Sequence, residues 1–175
     1  SRGLGDVYKR QPAADTAVEE RFRAALGTVA GKALDLACGP GVVTAAIAPT
    51  CDEVTAFDAT PAMLEKARAR CERHAIGNVR FQEGDANALP FASNEFAAVV
   101  TRLSVHHFDD PARVLGEAHR VMAPGGRLAV ADVVVAGDAQ DAALQNAIEN
   151  LRDPSHVRML PLEDLTALLK NVGFE

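Results

Sequence analysis

The chain has 175 residues, of which 48% are hydrophobic and 24% are charged, and this predicts one globular domain with an ample core. The net charge is -6, and because phosphate binding requires clustered Lys and Arg, the acidic balance argues against a nucleic-acid surface. No apolar run approaches the roughly 20 residues that span a bilayer. Cys38, Cys51 and Cys71 show neither C-x-x-C pairing nor metal-ligand spacing, and no secretory segment precedes the domain, so we expect a reduced, cytoplasmic protein without a metal site.

Both ends of the chain are expected to differ from a natural domain. Residues 1–11 have no helical or strand periodicity and are similar to translated adaptor sequence, so we interpret them as a non-native tail. Residues 12–175 are predicted to form a single domain. The chain stops at Glu175, directly after a predicted helix and where another strand is expected to begin. We therefore expect the domain to be incomplete at its C-terminal end.

Hydrophobic periodicity predicts strands and helices in alternation. Strands are predicted over residues 33–37, 53–57, 79–82, 96–101 and 127–135. Helices are predicted over residues 15–27, 42–48, 60–74, 109–122, 138–151 and 161–171. This alternation is typical of an α/β fold, here a Rossmann-like, doubly wound, mainly parallel sheet of five strands.

Local signals predict where several of these elements begin. Thr16 and Glu19 fit a capping box at the start of the first helix. Thr60 is a candidate N-cap for the helix over residues 60–74, with a proline in its first turn. The Pro124-Gly125-Gly126 segment is interpreted as a turn that leads into the fifth strand.

The most informative segment runs from Lys32 to Thr44, where an apolar strand leads into a glycine turn and then a helix. Gly39 and Gly41 have no Cβ, so the main chain can take unusual φ/ψ values and come close to a ligand. In a parallel sheet the ligand lies beyond the carboxyl ends of the strands. This layout predicts a site for a cofactor that contains a nucleoside.

Three carboxylates, Asp35, Asp58 and Asp85, are predicted at the ends of the first three strands, near the mouth of this cleft. A dinucleotide has two phosphates that such a set would repel. S-adenosylmethionine has no phosphate and carries an ammonium, a sulfonium, two ribose hydroxyls and an adenine amino group, so the acids favour it. The alternative is a nicotinamide-dependent oxidoreductase, but Thr44 then stands where a third glycine or alanine belongs, and Asp85 has no role.

Position along the strands suggests a role for each polar group. Asp58 is expected to accept hydrogen bonds from the ribose hydroxyls, Asp85 from the adenine amino group, and Asp35 to face the methionine ammonium. Met63 is a candidate to pack on the adenine through its sulfur, and Arg102 to pair with the methionine carboxylate. The other predicted cofactor contacts are residues beside these groups and in the glycine turn: Ala37, Cys38, Gly39, Gly41, Ala59 and Ala86.

Four segments, Leu34 to Gly41, Asp58 to Met63, Gly84 to Phe91 and Arg120 to Arg127, occur in an order that resembles class I S-adenosylmethionine-dependent methyltransferases. The type includes quinone-biosynthesis enzymes and bacterial small-molecule methyltransferases. The resemblance is strong over residues 30 to 135 and loose beyond. It implies transfer of a methyl group from S-adenosylmethionine to a small-molecule acceptor at oxygen, nitrogen or carbon.

The sequence departs from the family pattern in two places. Family members usually have glycine at the position of Ala37, and the methyl group there is expected to be tolerated with a modest cost in fit. The family fold also ends with an antiparallel hairpin beside the fifth strand, and the chain stops before both of its strands. We therefore expect the edge over residues 128–135 to be unpaired, which would allow a homo-oligomer to form through it.

The sequence does not identify an obligatory catalytic residue. A sulfonium methyl group is already activated, so in-line displacement is expected to depend mainly on proximity and alignment. His106 and His107 follow the fourth strand, where the acceptor should approach; they are candidates for a base, or they cap the loop before the next helix. His156 is a candidate to line the acceptor pocket, whereas Cys38 is expected only to pack. A further alternative is a fragment that binds the cofactor without turnover.

Overall fold

The computed structural model describes residues 12–135 and 137–175. The helices are α1 (Pro12–Leu26), α2 (Val42–Ile47), α3 (Pro61–Arg73), α4 (Pro111–Val121), α5 (Ala139–Arg152) and α6 (Leu162–Asn171). The strands are β1 (Val29–Leu36), β2 (Cys51–Asp58), β3 (Val79–Glu83), β4 (Phe96–Arg102), β5 (Met122–Ala131), β6 (Val134–Val135) and β7 (Leu160–Pro161). Short 3-10 turns follow α2 and β4, at Ala48–Thr50 and Val105–His107. The predicted tail, residues 1–11, lies outside the described residues.

The first five strands form one parallel sheet in the order β3-β2-β1-β4-β5. The chain winds outward from β1 to β3 and then crosses to β4, so the direction of winding reverses between β1 and β4. In such a sheet this reversal opens a crevice beyond the carboxyl ends of the strands. The predicted Rossmann-like, doubly wound parallel sheet is confirmed.

Apolar side chains cover both faces of the sheet. One layer includes Phe22, Leu26 and Ile47, and the opposite layer includes Phe57 and Phe96. In the second layer Phe91 packs edge-on between the other two rings, with centroids 5.6 Å from Phe57 and 5.0 Å from Phe96. The inner strands β1, β2 and β4 have runs of buried residues at or next to their C-terminal ends, so these ends are fixed by packing on both faces.

Two helices begin differently from the prediction. Helix α1 is described from Pro12 onward, so Thr16 lies inside the helix and not at its N-cap. Thr60 occupies the N-cap position of α3 as predicted, but its side chain makes no capping hydrogen bond. Pro61, with its fixed φ, starts that helix.

The fifth strand also differs from the prediction, because it begins at Met122 rather than at Arg127. Phe96 pairs with Met122 and Ala98 with Arg127, so the predicted turn residues Pro124-Gly125-Gly126 form a bulge inside β5. The strand ends at Ala131, and after a break at Asp132 and Val133 the chain forms β6, Val134–Val135, which pairs with β7. The expectation of an unpaired edge is therefore wrong for β6. On β5, no strand within the described part of the chain covers the outer edge.

None of the helices in residues 12–135 and 137–175 combines the length and the apolar character that a membrane-spanning helix needs.

Candidate functional site

The turn after β1 has a left-handed backbone at three positions. φ is 55° at Ala37, 53° at Gly39 and 74° at Gly41. Glycine adopts such angles freely, whereas an L-residue with a Cβ is strained there. The departure at Ala37 is therefore costly for a reason that the sequence did not reveal: the cost lies in the backbone conformation of Ala37.

The glycine turn is closed on one side and open on the other. A Cβ on Gly41 would lie 2.7 Å from the Ala67 Cβ on α3, so only glycine fits this contact. Arg70 of the same helix donates from Nε to the Pro40 carbonyl oxygen at 3.0 Å. A Cβ on Gly39 would meet no atom within 4 Å. The backbone at Gly39 therefore borders open space that a ligand can fill.

Asp58, at the end of β2, joins its strand to the glycine turn. Its Oδ2 accepts a hydrogen bond from the Gly39 amide at 2.8 Å, and its Oδ1 accepts one from the Thr60 amide at 2.9 Å. The residue is 9% exposed. A carboxylate oxygen has a second lone pair, so these bonds fix the orientation of Asp58 and leave capacity for ligand hydroxyls.

Asp35, at the end of β1, is almost completely buried, with 1% of its surface exposed. The Thr44 hydroxyl of α2 donates to its Oδ2 at 2.5 Å. Burial raises the pKa of Asp35 to about 7, although the hydrogen bonds from Thr44 act in the opposite direction. The charge of Asp58 raises this pKa further and that of Arg102 lowers it. Thr44, which stands where the nicotinamide-binding pattern has a third glycine or alanine, thus holds an acid.

The end of β3 lies beside the end of β2. The Gly84 amide donates to the Asp58 carbonyl oxygen at 3.2 Å, and a Cβ on Gly84 would lie 2.6 Å from Cζ of Phe57. Asp85 follows on an exposed loop, and its Oδ1 accepts hydrogen bonds from the Asn87 amide and from Nδ2 of Asn87 at 2.8 and 2.9 Å. These bonds lower the pKa of Asp85, so it is a carboxylate at neutral pH.

The remaining predicted contacts lie around the same strand ends with different exposure. Met63 on α3 and Ala86 are half-buried, Ala59 is exposed, and Arg102 is half-buried at the end of β4. Cys38 is buried, and its thiol donates to the Gly39 carbonyl oxygen at 3.6 Å. Burial raises the pKa of this thiol, and such a thiol is a poor nucleophile. Packing is therefore the physical role of the Cys38 side chain.

A second polar cluster lies beyond β4 and β5, and its central residue, Asp132, was not among the predicted site residues. The Asp132 side chain is 2% exposed. Its Oδ2 accepts from the Val105 amide at 2.6 Å and from the Ser104 amide at 3.2 Å. Its Oδ1 lies 2.5 Å from Nδ1 of His106. An acid directly after β5, on the strand beside β4, was the signal that could have identified this partner.

Two further histidines, His107 and His156, lie beside His106. The His107 ring centroid lies 4.0 Å from that of His106, and its Nδ1 is 2.9 Å from the Ser155 carbonyl oxygen. The His156 ring lies 5.5 Å away and its Nε2 is 2.9 Å from the Asn146 side-chain oxygen. Burial lowers the pKa of His156, which favours the neutral ring. In residues 12–135 and 137–175, no group of three or more His, Cys, Asp or Glu residues is arranged to hold a metal ion.

Comparison with known proteins finds similarity over most of the chain. Residues 34–130 match the family described as "Methyltransferase domain". YcgJ of Bacillus subtilis, an uncharacterized methyltransferase, is 34% identical over 137 residues, or 78% of this chain and 54% of YcgJ. Its crystal structure matches with a TM-score of 0.84 at 30% identity, over 90% of this chain and 67% of that one. Demethylmenaquinone methyltransferase of Thermus thermophilus is 39% identical over 128 residues, or 71% of this chain and 54% of its own length.

A more distant structure resembles the chain in fold. Phosphoethanolamine N-methyltransferase 2 of Haemonchus contortus, in complex with S-adenosyl-L-methionine, has a TM-score of 0.74 at 20% identity, over 91% of this chain and 36% of that one. The chain spans about half the length of its two sequence relatives. The glycine turn and Asp58 lie inside the matched residues 34–130, whereas Asp132 lies just beyond them.

Proposed function

The chain belongs to the class I S-adenosylmethionine-dependent methyltransferases, and from this premise we propose that it transfers a methyl group to a small-molecule acceptor. Membership in this family removes the nicotinamide-dependent alternative. The observation that carries the proposal is the position of Asp58, whose carboxylate is fixed against the glycine turn by the amides of Gly39 and Thr60.

The residues at the strand ends fit S-adenosylmethionine in space and in charge. The open side of Gly39 leaves room for a ligand against the backbone. Asp58 places an acid against the Gly39 amide beside this space, which suits a ligand with hydroxyl donors and would oppose a phosphate. When bound, S-adenosylmethionine supplies an activated methyl group on a sulfonium.

Each predicted contact keeps its proposed role. Asp58 accepts from the ribose hydroxyls, Asp85 from the adenine amino group, and Asp35 faces the methionine ammonium. Met63 covers the adenine, and Arg102 pairs with the carboxylate. The main-chain neighbours complete the contact: Ala37, Cys38, Gly39, Gly41, Ala59 and Ala86. The protein's contribution to the reaction is then alignment of the acceptor and exclusion of water.

Titration calorimetry with S-adenosylhomocysteine tests this assignment. We expect the chain to bind this product and to give no heat with NAD. Asp58→Ala should weaken the binding by roughly 1.5–3 kcal/mol, because a hydrogen bond to a charged group is lost. Asp52→Ala changes an exposed acid at the other end of β2 and serves as the matched control. Unchanged affinity in Asp58→Ala would place the ribose elsewhere.

Binding and turnover require separate measurements, because a protein can bind the cofactor without transferring a methyl group. Methyl transfer from labelled S-adenosylmethionine should be measured with oxygen, nitrogen and carbon acceptors. The same assay should be repeated on a chain extended by an antiparallel C-terminal hairpin. Binding of S-adenosylhomocysteine without transfer by either chain would contradict the enzyme assignment and leave the cofactor assignment intact.

A further inference from the structure

We propose that His106 is the catalytic base of this methyltransferase, that Asp132 is its positioning residue, and that the acceptor is an apolar molecule with a weakly acidic hydroxyl. This inference rests on the proposed function and adds to it the class of acceptor and the group that takes its proton.

The pairing with Asp132 determines which nitrogen of His106 can accept a proton. A carboxylate only accepts hydrogen bonds, so Nδ1 of His106, 2.5 Å from Oδ1 of Asp132, carries the hydrogen in the neutral ring. Nε2 then has the free lone pair. The same arrangement of a buried carboxylate and an imidazole holds the base of serine proteases in its working tautomer.

The surroundings of Asp132 keep this pair together. The carboxylate accepts from the backbone amides of Ser104, Val105 and Val133, and its side chain is 2% exposed. The His106 carbonyl oxygen accepts from the Val157 and Arg158 amides, so the backbone is fixed as well. The His106 side chain is 12% exposed. The contact between Nδ1 and Asp132 therefore fixes the ring in one orientation.

The strand order places this pair on the acceptor side. The acids proposed for the ribose and the adenine follow β2 and β3, on one side of β1. His106 and Asp132 follow β4 and β5, on the other side. The pair and the acids proposed to bind the cofactor therefore lie on opposite sides of β1, and the crevice between them is open to an acceptor.

The segments that carry the pair expose apolar side chains. Four large apolar residues in these segments are between 39% and 47% exposed: Leu103, Val133, Val134 and Val157. We call these four residues the apolar rim. The Leu103 amide donates to the Ala131 carbonyl oxygen at 2.8 Å, and Leu103 has a strained φ of 51°. Val133 lines a small cleft together with His106 and Asp132. Such a rim suits an acceptor with an apolar body.

A base is useful only for an acceptor that must lose a proton before it attacks, so a base at this position implies an acceptor with an acidic hydroxyl. A neutral amine can attack a methyl group before it loses a proton, whereas a phenol or enol attacks well only as its anion. In the proposed step the acceptor O–H bond breaks, the proton forms an N–H bond at Nε2 of His106, and the oxygen keeps the electron pair. The imidazolium later releases the proton to water. The charged and titratable groups around His106 are Asp132, His107, Asp153, His156 and Arg158.

The test uses 4-nitrophenol, whose phenolate has its own visible absorption, bound to the complex of the chain with S-adenosylhomocysteine. Absorbance measured against pH should show that the bound phenol ionises at lower pH than the free one. His106→Gln should abolish this shift, and Asp132→Asn should reduce it because Nδ1 loses its carboxylate partner. His107→Gln changes the adjacent ring and should retain the shift. Val133→Thr keeps the shape of the side chain and should weaken probe binding about fourfold without changing the shift.

Each variant is first titrated with S-adenosylhomocysteine, so that a failure of the proposed function or of folding is seen separately. Absence of 4-nitrophenol binding to the intact complex would overturn the assigned acceptor class. A shift that persists in His106→Gln, or that is lost equally in His107→Gln, would overturn His106 as the base. The methyl ether 4-nitroanisole, which has no acidic proton, should bind equally to the parent chain and to His106→Gln.

Discussion

Ala37 is the residue with a Cβ that has a left-handed backbone inside the glycine turn. Its φ of 55° costs an L-residue about 1–2 kcal/mol, and glycine removes this strain while adding freedom to the unfolded chain. Ala37→Gly should therefore raise the free energy of unfolding by about 1 kcal/mol, measured in urea. Ala45→Gly, in the right-handed interior of α2, should lower it by a similar amount, about 1 kcal/mol. A destabilised Ala37→Gly would mean that the Cβ of Ala37 makes contacts that outweigh the strain.

Asp35 should make stability depend on pH. Its pKa is raised by burial from the ordinary 3.8 to about 7, so between these values the folded protein keeps a proton that the unfolded chain has lost. The free energy of unfolding should consequently fall as the pH rises from about 4 to about 7. Asp35→Asn retains an acceptor for Thr44 and should flatten this slope, and be more stable than the parent at pH 8 by roughly 1–4 kcal/mol.

Urea unfolding at several pH values measures this slope, and Asp52→Asn, an exposed acid on β2, is the control. If the parent and Asp35→Asn depend on pH alike, Asp35 is ionised in the folded protein at every pH tested.

Among the secondary-structure elements, the bulge in β5 has room only for glycine at position 126. A Cβ on Gly126 would lie 2.6 Å from Cγ of Met122 and 2.8 Å from the Ala123 carbonyl oxygen, and the second atom belongs to the backbone. Gly126→Ala should therefore lower the free energy of unfolding by about 1–3 kcal/mol, measured in urea.

Gly116 provides the matched control for this prediction. It lies in the interior of α4, and a Cβ there would meet no atom within 4 Å, so Gly116→Ala should raise the free energy of unfolding by about 0.5–1 kcal/mol. Equal effects of the two substitutions would contradict the crowding at the bulge.

At the scale of the whole molecule, the parallel sheet was predictable because its signals are repeated. Each buried strand reads as an apolar run, as Phe96 to Thr101 does, and each is followed by a turn or a helix. The glycine turn and Asp58 were predictable for the same reason, since strand order alone brings strand ends together. The bulge was not predictable, because proline and two glycines indicate a turn equally well and only pairing with β4 distinguishes the two.

The second cluster was hidden for a different reason. His106 and Asp132 are far apart in the chain, and their contact depends on β5 lying beside β4 and ending at the same level. The strain at Ala37 was hidden as well, because a backbone angle leaves no trace in composition or periodicity. The elements and the ends of the first strands could therefore be located from the sequence. The contacts between the segments that follow β4 and β5 could not.

Asp132 should also slow the hydrogen exchange of the backbone amides that it binds. Its carboxylate holds the amides of Ser104 and Val105, which belong to the segment after β4, where amide hydrogens would ordinarily exchange with solvent quickly. We expect these two amides to exchange nearly as slowly as those of the sheet, and Asp132→Ala to accelerate their exchange while amides of β1 are unaffected, as measured by hydrogen–deuterium exchange. Equal rates in both proteins would show that the segment opens independently of Asp132. A loop that is held in one conformation in this way does not have to be ordered when a ligand binds.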